Sequence, residues 1–496
     1  MNLATLLADV RLKRPLPAAL AASPVVGLEY DSRRVSPGAL FFAFPGSRTD
    51  GRRFAEDALT RGAVAVASES EAPDDLASRW IQVEHGRQAL ALAARTFYGK
   101  PDERLGLTGI TGTNGKTTTG FLIDSVLRAA GHITALVGTI EYHLAGRILP
   151  AVNTTPESLD LARMFAQLES EGGTHATMEV SSHALALGRV YGLHFHTAVF
   201  TNLTRDHLDF HGSMDAYFAA KRLLFEGAGA PPPPFAVLNR DDEYARQIPE
   251  ASRAETLWYG LGPDATLRAR RIASTDRGLR FEAHYGKLVV DLSSPLIGKI
   301  NVYNILAACG ASLSYGIPPE TIARGIADLR AVPGRFERVD EGQPFVVVVD
   351  YAHTDDALRN VIAVARGLKP KRVVTVFGCG GDRDRAKRPL MGQAAAQASD
   401  LVILTSDNPR SEDPLDIMND ALVGIRRTDT PHVVEPDRAA AIAYALKEAR
   451  PGDIVILAGK GHETYQVLKD KTIPFDDRAV AREVLHGYGY RRTVES

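Results

Sequence analysis

Cysteine is nearly absent from this chain: Cys309 and Cys379 are the only two in 496 residues. They form neither a metal-binding spacing nor a disulfide framework, and so few thiols fit a reducing compartment. No apolar run reaches the roughly 18 residues that a membrane-spanning helix needs. Neither sign of charge dominates: 58 Lys and Arg stand against 60 Asp and Glu, a formal net charge of −2. That balance gives no general electrostatic pull toward nucleic acid or an anionic membrane, so neither is expected as a partner. The basic stretch Arg11–Arg14 and the following Leu16–Ser23 faintly resemble a secretory leader. Asp9 lies early, and Pro15 and Pro17 break the start of the apolar run, so the expected location is the cytoplasm.

What is present is ordinary globular composition, 45% hydrophobic and 24% charged, in a chain too long for one core. Three domains are expected, at 1–100, 101–332 and 333–496, with boundaries near Gly99–Asp102 and Ala331–Arg335. The first is a small mixed α/β domain. Runs such as Thr134–Val137, His175–Val180, Thr197–Phe200 and Phe235–Leu238 alternate with helical segments. They predict a central domain built on a parallel sheet with crossover helices, which the phosphate loop at 108–119 would make a P-loop-type ATPase domain. Residues 254–295 look richer in strand, and Asn301–Tyr315 reads as a helix. Beyond residue 333, strands Phe345–Val349, Val373–Phe377, Leu401–Thr405, His432–Val434 and Ile454–Ala458 alternate with helices. That pattern predicts a second, Rossmann-like doubly wound α/β domain.

The most informative stretch is 108–119, Thr-Gly-Ile-Thr-Gly-Thr-Asn-Gly-Lys-Thr-Thr-Thr. An apolar approach, a Gly-rich turn, Lys-Thr and a helical pattern follow in the order that builds a phosphate cradle. Backbone N–H groups around Gly112–Gly115 would wrap phosphates, Lys116 would reach the terminal ones, and the Thr117 hydroxyl would ligate Mg²⁺. Ile110 stands where the usual spacing has glycine, which marks a variant loop.

Other polar motifs follow predicted strands. Glu179, in Met178-Glu-Val-Ser-Ser-His183, offers oxygen to a hard cation. Asn202, Asp206, His207, Asp209 and His211 crowd the loop 201–211, where a zinc site and a polar capping turn are both open. Asn153-Thr-Thr-Pro156 reads equally as a helix N-cap. Lys221, in the helical stretch Ala216–Phe225, has the pattern of a solvated surface lysine. Asp350-Tyr-Ala-His-Thr354 serves either nucleotide contact or a helix cap. Arg410, in Asp407-Asn-Pro-Arg410, sits at a tight turn, as a carboxylate-binding fork or as plain surface.

Taken together, Thr111–Thr119, Glu179–His183, Thr201–Asp209, Asn301-x-x-Asn304, Pro333-Gly-Arg335 and Asp350–His353 resemble the Mur ligase family, in the family's order. Asp407–Arg410 and Gly459-Lys-Gly-His-Glu463 resemble the members that add diaminopimelate. The resemblance implies an ATP-dependent amide ligase of peptidoglycan precursor synthesis. Its substrates would be UDP-N-acetylmuramoyl-L-Ala-D-Glu, meso-diaminopimelate and ATP, and its intermediate an acyl-phosphate. It assigns ATP to Gly112, Thr113, Asn114, Gly115, Lys116, Thr117 and Thr118, with Asn301, Arg335 and Asp350. It assigns Mg²⁺ to Thr117, Glu179, His207 and a carbamylated Lys221, and catalysis to Lys116, Glu179, His207 and Lys221. Tyr30, Ser32, Ser47, Arg48 and Thr49 match the uridine-diphosphate end of the precursor. Asn153, Thr154, Thr155, Ser181 and Arg189 match its muramoyl-dipeptide end. Arg388, Asp407, Asn408, Pro409, Arg410, Gly459 and Glu463 match the diaminopimelate pocket. Leu187 departs from a family glutamine, and Asp355 from a family proline that should matter only to a helix start. A monomer is expected.

Three other readings compete. A lysine-adding ligase of the same family is disfavoured by Arg410. Folylpolyglutamate synthetase is disfavoured by the N-terminal Asp31-Ser-Arg and Asp50-Gly-Arg. A scaffold without turnover is disfavoured by Lys116, Thr117, Glu179, His207 and Lys221.

Overall fold

The computed structural model describes residues 1–46, 49–249, 252 and 254–491. The chain groups into two compact units. The first comprises Met1–Leu203, His211–Leu267 and Ala307–Gly325; the second comprises Thr204–Phe210, Arg268–Leu306 and Ile326–Ser496.

The first unit opens with a four-stranded parallel sheet, β1 (Gly27–Glu29), β2 (Ala39–Phe42), β3 (Ala65–Ser68) and β4 (Trp80–Gln82), in that order. The continuous apolar run of β2 is explained by burial on both faces. Leu40 and Phe42 pack with Leu90 and Ala93 of helix Gly86–Phe97. Ala39 and Phe41 pack with Ala55, Ala58 and Leu59 of the helix on the other face.

The same unit holds a larger sheet. Its strands are β5 (Gly106–Thr111), β6 (Thr134–Val137), β7 (Glu141–Leu144), β8 (Arg147–Pro150), β9 (His175–Glu179), β10 (Thr197–Phe200), β11 (Phe235–Asn239) and β12 (Glu255–Gly260). Their spatial order is 12-11-10-5-9-6-7-8. From β12 to β6 the pairs are parallel, and the β7–β8 hairpin is antiparallel. β5 lies between β10 and β9, so successive connections leave it on opposite sides. A crevice forms at the carboxyl end of such a strand, where α/β sheets place ligands. The β7–β8 hairpin has no counterpart among the expected elements. Its two-residue turn is Ala145-Gly146, both at positive φ, and all four residues of β8 are exposed, so neither a strong turn pair nor an apolar run announces it.

In the second unit, β13 (Leu267–Thr275), β14 (Gly278–Tyr285) and β15 (Leu288–Ser294) provide the strand-rich stretch, with β14 and β15 antiparallel. A six-stranded sheet follows: β16 (Glu337–Val339), β17 (Val346–Asp350), β18 (Val373–Phe377), β19 (Leu401–Leu404), β20 (His432–Val434) and β21 (Ile454–Ala458), in the order 16-17-21-18-19-20. All its pairs are parallel except the β16 edge. Apolar clusters cover both faces, one around Ile362, Phe377 and Leu404 and one around Val347, Val376 and Leu446. The loops after β17, β18, β19 and β21 emerge at one end and carry the polar motifs.

One local expectation is corrected and one holds. Asn153–Pro156 does not cap a helix: the helix runs Ser158–Ser170 behind Glu157, with no side-chain cap. Asp355 does open its helix, Asp355–Gly367, with Thr354 as the capping residue that accepts from the Ala357 N–H.

Candidate active site

β5 ends at Thr111, and the chain turns through Gly112 (φ 142°) and Gly115 (φ 87°) into helix Lys116–Ala129. A Cβ on Gly112 would stand 1.9 Å from the Thr201 Oγ1, so only glycine fits there. The loop is fastened to the end of β10. Thr113 N–H donates to the Asn202 carbonyl (2.8 Å), and Asn114 N–H donates to Asn202 Oδ1 (3.0 Å). Asn202 Nδ2 and Thr201 Oγ1 donate back to the Asn114 carbonyl, at 3.0 and 2.7 Å. Lys116 Nζ lies over the loop, donating to the carbonyls of Gly112 and Thr113 at 3.0 and 2.9 Å. Thr117 and Thr118 are nearly buried at the helix start. This is a helix N-terminus with a lysine above it, a ready anion site.

Lys221 overturns its surface reading. It is 1% exposed, its Nζ donates to the Gly112 carbonyl at 2.8 Å, and it stands 4.7 Å from the Tyr217 ring centroid. The phosphate loop and Lys221 therefore share one neighbourhood.

Glu179, at the end of β9, is 2% exposed and accepts from the Thr139 N–H and hydroxyl at 2.8 and 3.1 Å. Its backbone carbonyl accepts from the Thr155 hydroxyl at 2.8 Å. Ser181 N–H donates to that hydroxyl oxygen at 3.1 Å, and Arg189 donates to the Thr155 carbonyl at 2.9 Å. Thr154 is linked to Thr139 through their hydroxyls at 3.1 Å, and the Asn153 carbonyl accepts from Tyr142. Asn153, Thr154, Thr155, Ser181 and Arg189 are thus assembled around Glu179.

Sequence reading missed the acids behind this group. Glu157 accepts from both Arg87 and Arg189, and Asp160 accepts from the Tyr30 hydroxyl at 2.6 Å. Burial first, then that hydrogen bond, pushes the Tyr30 hydroxyl above its ordinary range. Ser32 is buried behind Asp31, which caps the short helical turn Ser32–Arg34. Thr49 is exposed; its carbonyl accepts from the Gly46 N–H. Ser47 and Arg48 lie outside the described residues.

The second unit carries the remaining candidates. Asp350, at the end of β17, accepts from the Phe336 and Ala352 N–H groups at 2.7 and 2.9 Å. Burial raises its carboxyl above the usual range, against the opposing pull of Arg335. The Arg335 guanidinium lies 5.0 Å from the Tyr351 ring centroid, and His462 packs 5.0 Å from the same ring. Burial, helped by Arg335, holds His462 down to about 4. Asn301 is fixed within its own helix region by Ile297 and Asn304. His207 has φ 53° and stands 3.4 Å from Asp206, which also pairs with Lys387 at 3.0 Å. Among the described residues no three His, Cys, Asp or Glu side chains gather to hold a metal, so 201–211 forms no zinc cluster.

Asp407-Asn-Pro-Arg410 is not a surface turn. Asp407 and Asn408 are 6% and 5% exposed. Arg410, at φ 53°, donates to the Gly381 carbonyl at 2.8 Å. Gly381 N–H in turn donates to the Asn408 carbonyl, and a Cβ there would stand 1.8 Å from the Pro409 carbonyl oxygen. Gly459 sits so close that its Cβ would meet Asp407 Oδ2 at 2.6 Å. Asn408 Nδ2 donates to Glu463 Oε2 at 2.9 Å. Arg388 is 1% exposed and engaged by Glu412 and Asp420 at 2.7 and 3.0 Å. Glu412, Asp420 and Gln466 escaped the sequence reading, and Lys460 stood within its motif without a role. Nothing in their spacing separates them from ordinary helix and loop residues.

Three family models match this chain: Mur ligase family, catalytic domain (residues 24–98), Mur ligase middle domain (110–312) and Mur ligase, glutamate ligase domain (334–461). The chain belongs to the Mur ligase family. It is 76% identical to a UDP-N-acetylmuramoyl-L-alanyl-D-glutamate–2,6-diaminopimelate ligase of Solibacter usitatus, over 99% of this chain and all of that one. A ligase of the same description from Geobacillus thermodenitrificans is 49% identical, covering 92% of this chain and 94% of its own. Among solved structures, one of a UDP-N-acetylmuramoyl-L-alanyl-D-glutamate–2,6-diaminopimelate ligase aligns with a TM-score of 0.71 at 34% identity, covering 96% and 98%. A MurF ligase from Thermotoga maritima, solved in complex with ADP, shares the fold alone at 20% identity and a TM-score of 0.61, covering 94% and 96%.

Proposed function

We propose that this chain is an ATP-dependent ligase that joins meso-diaminopimelate to the D-Glu carboxylate of UDP-N-acetylmuramoyl-L-Ala-D-Glu. The observation that carries the reading is the 76% identity along the whole length to a ligase of that description. The geometry is consistent with it. ATP transfers its terminal phosphoryl group to the substrate carboxylate, the amine attacks the resulting acyl-phosphate, and phosphate leaves. Two anions must meet, so catalysis is mainly charge neutralisation and positioning. Lys116 and the N–H groups of Gly112 and Gly115–Thr118 neutralise and orient the phosphates, Thr113 and Asn114 shape the loop through Asn202, and Asn301, Arg335 and Asp350 also bind ATP. Asn153, Thr154, Thr155, Ser181 and Arg189 hold the dipeptide end of the precursor; Tyr30, Ser32, Ser47, Arg48 and Thr49 hold its uridine-diphosphate end.

Mg²⁺ fits the donors: the Thr117 hydroxyl and the buried Glu179 carboxylate are oxygen ligands of the kind hard cations take. Thr117, Glu179, His207 and Lys221 as its carbamate would hold it, supplying positive charge against phosphate and carboxylate. Lys221 suits that modification because it is buried beside the phosphate loop. A carbamate would turn a cation there into an anion. Intact-protein mass measurement showing no added CO2 on Lys221 would remove that part.

Arg388, Asp407, Asn408, Pro409, Arg410, Gly459 and Glu463 form the amino-acid pocket, with Arg388 held by Glu412 and Asp420. Domains at 1–100, 101–332 and 333–496 are assigned to precursor, ATP and amino acid. The protein works as a cytoplasmic monomer; no described helix is long and apolar enough to cross a membrane. The test is phosphate release with ATP, Mg²⁺ and the precursor, comparing meso-diaminopimelate with L-lysine. Release with diaminopimelate and a new amide product supports the reading. Preference for lysine overturns the amino-acid assignment, and silence with both overturns the ligase reading.

A further inference from the structure

The loops after β19 and β21 enclose charges that the chemistry above leaves unused. Lys460 is wholly buried. Its Nζ lies 3.1 Å from Glu463 Oε2 and 3.3 Å from Asn408 Oδ1, and 3.7 Å from Asp407 Oδ1. Asn408 Nδ2 donates to the same Glu463 oxygen, so an ammonium and an amide converge on one carboxylate oxygen. Behind them Arg438 and Asp477 form an ion pair with both side chains at 0% exposure. Arg438 Nη2 also donates to the carbonyl of Ala458, the last residue of β21, at 2.9 Å.

Burying so many ions is costly, and apolar side chains of similar size often serve stability as well or better. The pattern of charge is informative. Asp407, Glu463 and Asp477 are three carboxylates; Lys460 and Arg438 are two cations. Of the three acids Glu463 keeps the most exposed side chain, 14% against 9% for Asp407 and 0% for Asp477. Glu463 is therefore the carboxylate that a ligand can reach, and the ligand group that suits a carboxylate there is a cation.

We propose that Lys460 is a positioning residue for the incoming amino acid: it fixes Glu463 and Asn408 as a corner that receives an ammonium group, while Arg438 and Asp477 anchor the strand end behind that corner. Lys460 touches no substrate in this scheme and acts through its two neighbours. The inference rests on the amino-acid pocket assigned above.

The test compares wild type, Lys460→Met, Lys460→Arg, Glu463→Gln and the double variant Lys460→Met/Glu463→Gln in steady-state amide formation. Wild type is assayed first with both amino acids, which judges the ligase reading separately; the variants are then assayed with whichever it uses. Lys460→Met should raise KM for the amino acid roughly tenfold or more, as for a lost charged hydrogen bond, with kcat and KM for ATP changed less than about threefold. Lys460→Arg should recover part of that loss. The double variant should be no worse than Glu463→Gln alone, since the lysine acts through that carboxylate. It also leaves no unpaired carboxylate at position 463, so it keeps the test alive where Lys460→Met fails to fold. An unchanged amino-acid KM in Lys460→Met, a parallel rise in KM for ATP, or full additivity in the double variant would each overturn the proposal.

Discussion

The phosphate loop and the pocket beyond β19 and β21 solve opposite problems with opposite materials. The first is built mainly from backbone: two positive-φ glycines, a helix N-terminus, and carbonyls that engage Lys116 and Lys221. The second is built from side chains: Asp407, Asn408, Lys460 and Glu463 arranged within hydrogen-bonding distance of one another. A backbone cradle takes phosphates without regard to what they are attached to. A side-chain cluster left unsatisfied by the wrong ligand discriminates sharply. On the proposed assignment the lesson is a division of labour, with general chemistry on backbone and choice of substrate on side chains.

That comparison can be broken by substitution. The largest effect is expected from Lys116→Ala, which should lower phosphate release by about a thousandfold, as for a lost transition-state charge contact. Stopped-assay phosphate measurement checks it; retained turnover would dissolve the backbone-cradle half of the contrast. Gly112→Ala comes next. Its Cβ would collide with Thr201 Oγ1 at 1.9 Å, so KM for ATP should rise roughly tenfold or more at a site that tolerates only glycine. Arg410→Ala should leave ATP binding intact yet cut preference for diaminopimelate over lysine by roughly tenfold to a hundredfold. Competition between the two amino acids reads that directly, and unchanged preference would unseat Arg410.

The smallest effect sharpens the comparison from the amino end of β9, where no substrate is assigned. His175, at the start of β9, packs 4.0 Å from the His132 ring and 4.9 Å from the Tyr315 ring. Burial first, then the His132 charge, holds it down to about 4. Its neutral form is the folded form. Stability is therefore present above the unfolded value near 6.5 and is lost as pH falls from there toward 4. Discounted for partial exposure, the loss should be about 1–2 kcal/mol. His175→Gln should flatten the acid side of a stability–pH curve measured by urea unfolding, without altering amino-acid preference. A change in preference would mean that the start of β9 and the amino-acid pocket are not independent.

Much of the architecture was legible because parallel strands buried on both faces read as continuous apolar runs. Val373–Phe377 and Ile454–Ala458, buried throughout, were bounded to the residue, as was the largely exposed edge strand His432–Val434. The phosphate loop was legible because its glycines are dictated by local backbone geometry. What failed was non-local. Lys221 looked solvated because its partner, Gly112, lies 109 residues away. Asn153–Pro156 looked like a cap because the bonds of Thr155 to Glu179 and Ser181 cannot be read from four residues. Arg388 was picked out through the family resemblance, but Glu412 and Asp420, which enclose it, were not.

The clasp between Asn114 and the end of β10 has a consequence for how a ligand is met. Thr113 and Asn114 are already bonded to Asn202, so the ordering entropy of this turn is settled when the chain folds. Little of it remains to be lost on nucleotide arrival, and affinity is not diluted by a search among loop shapes. Amide exchange at Thr113 and Asn114 should accordingly be slow before any nucleotide is added.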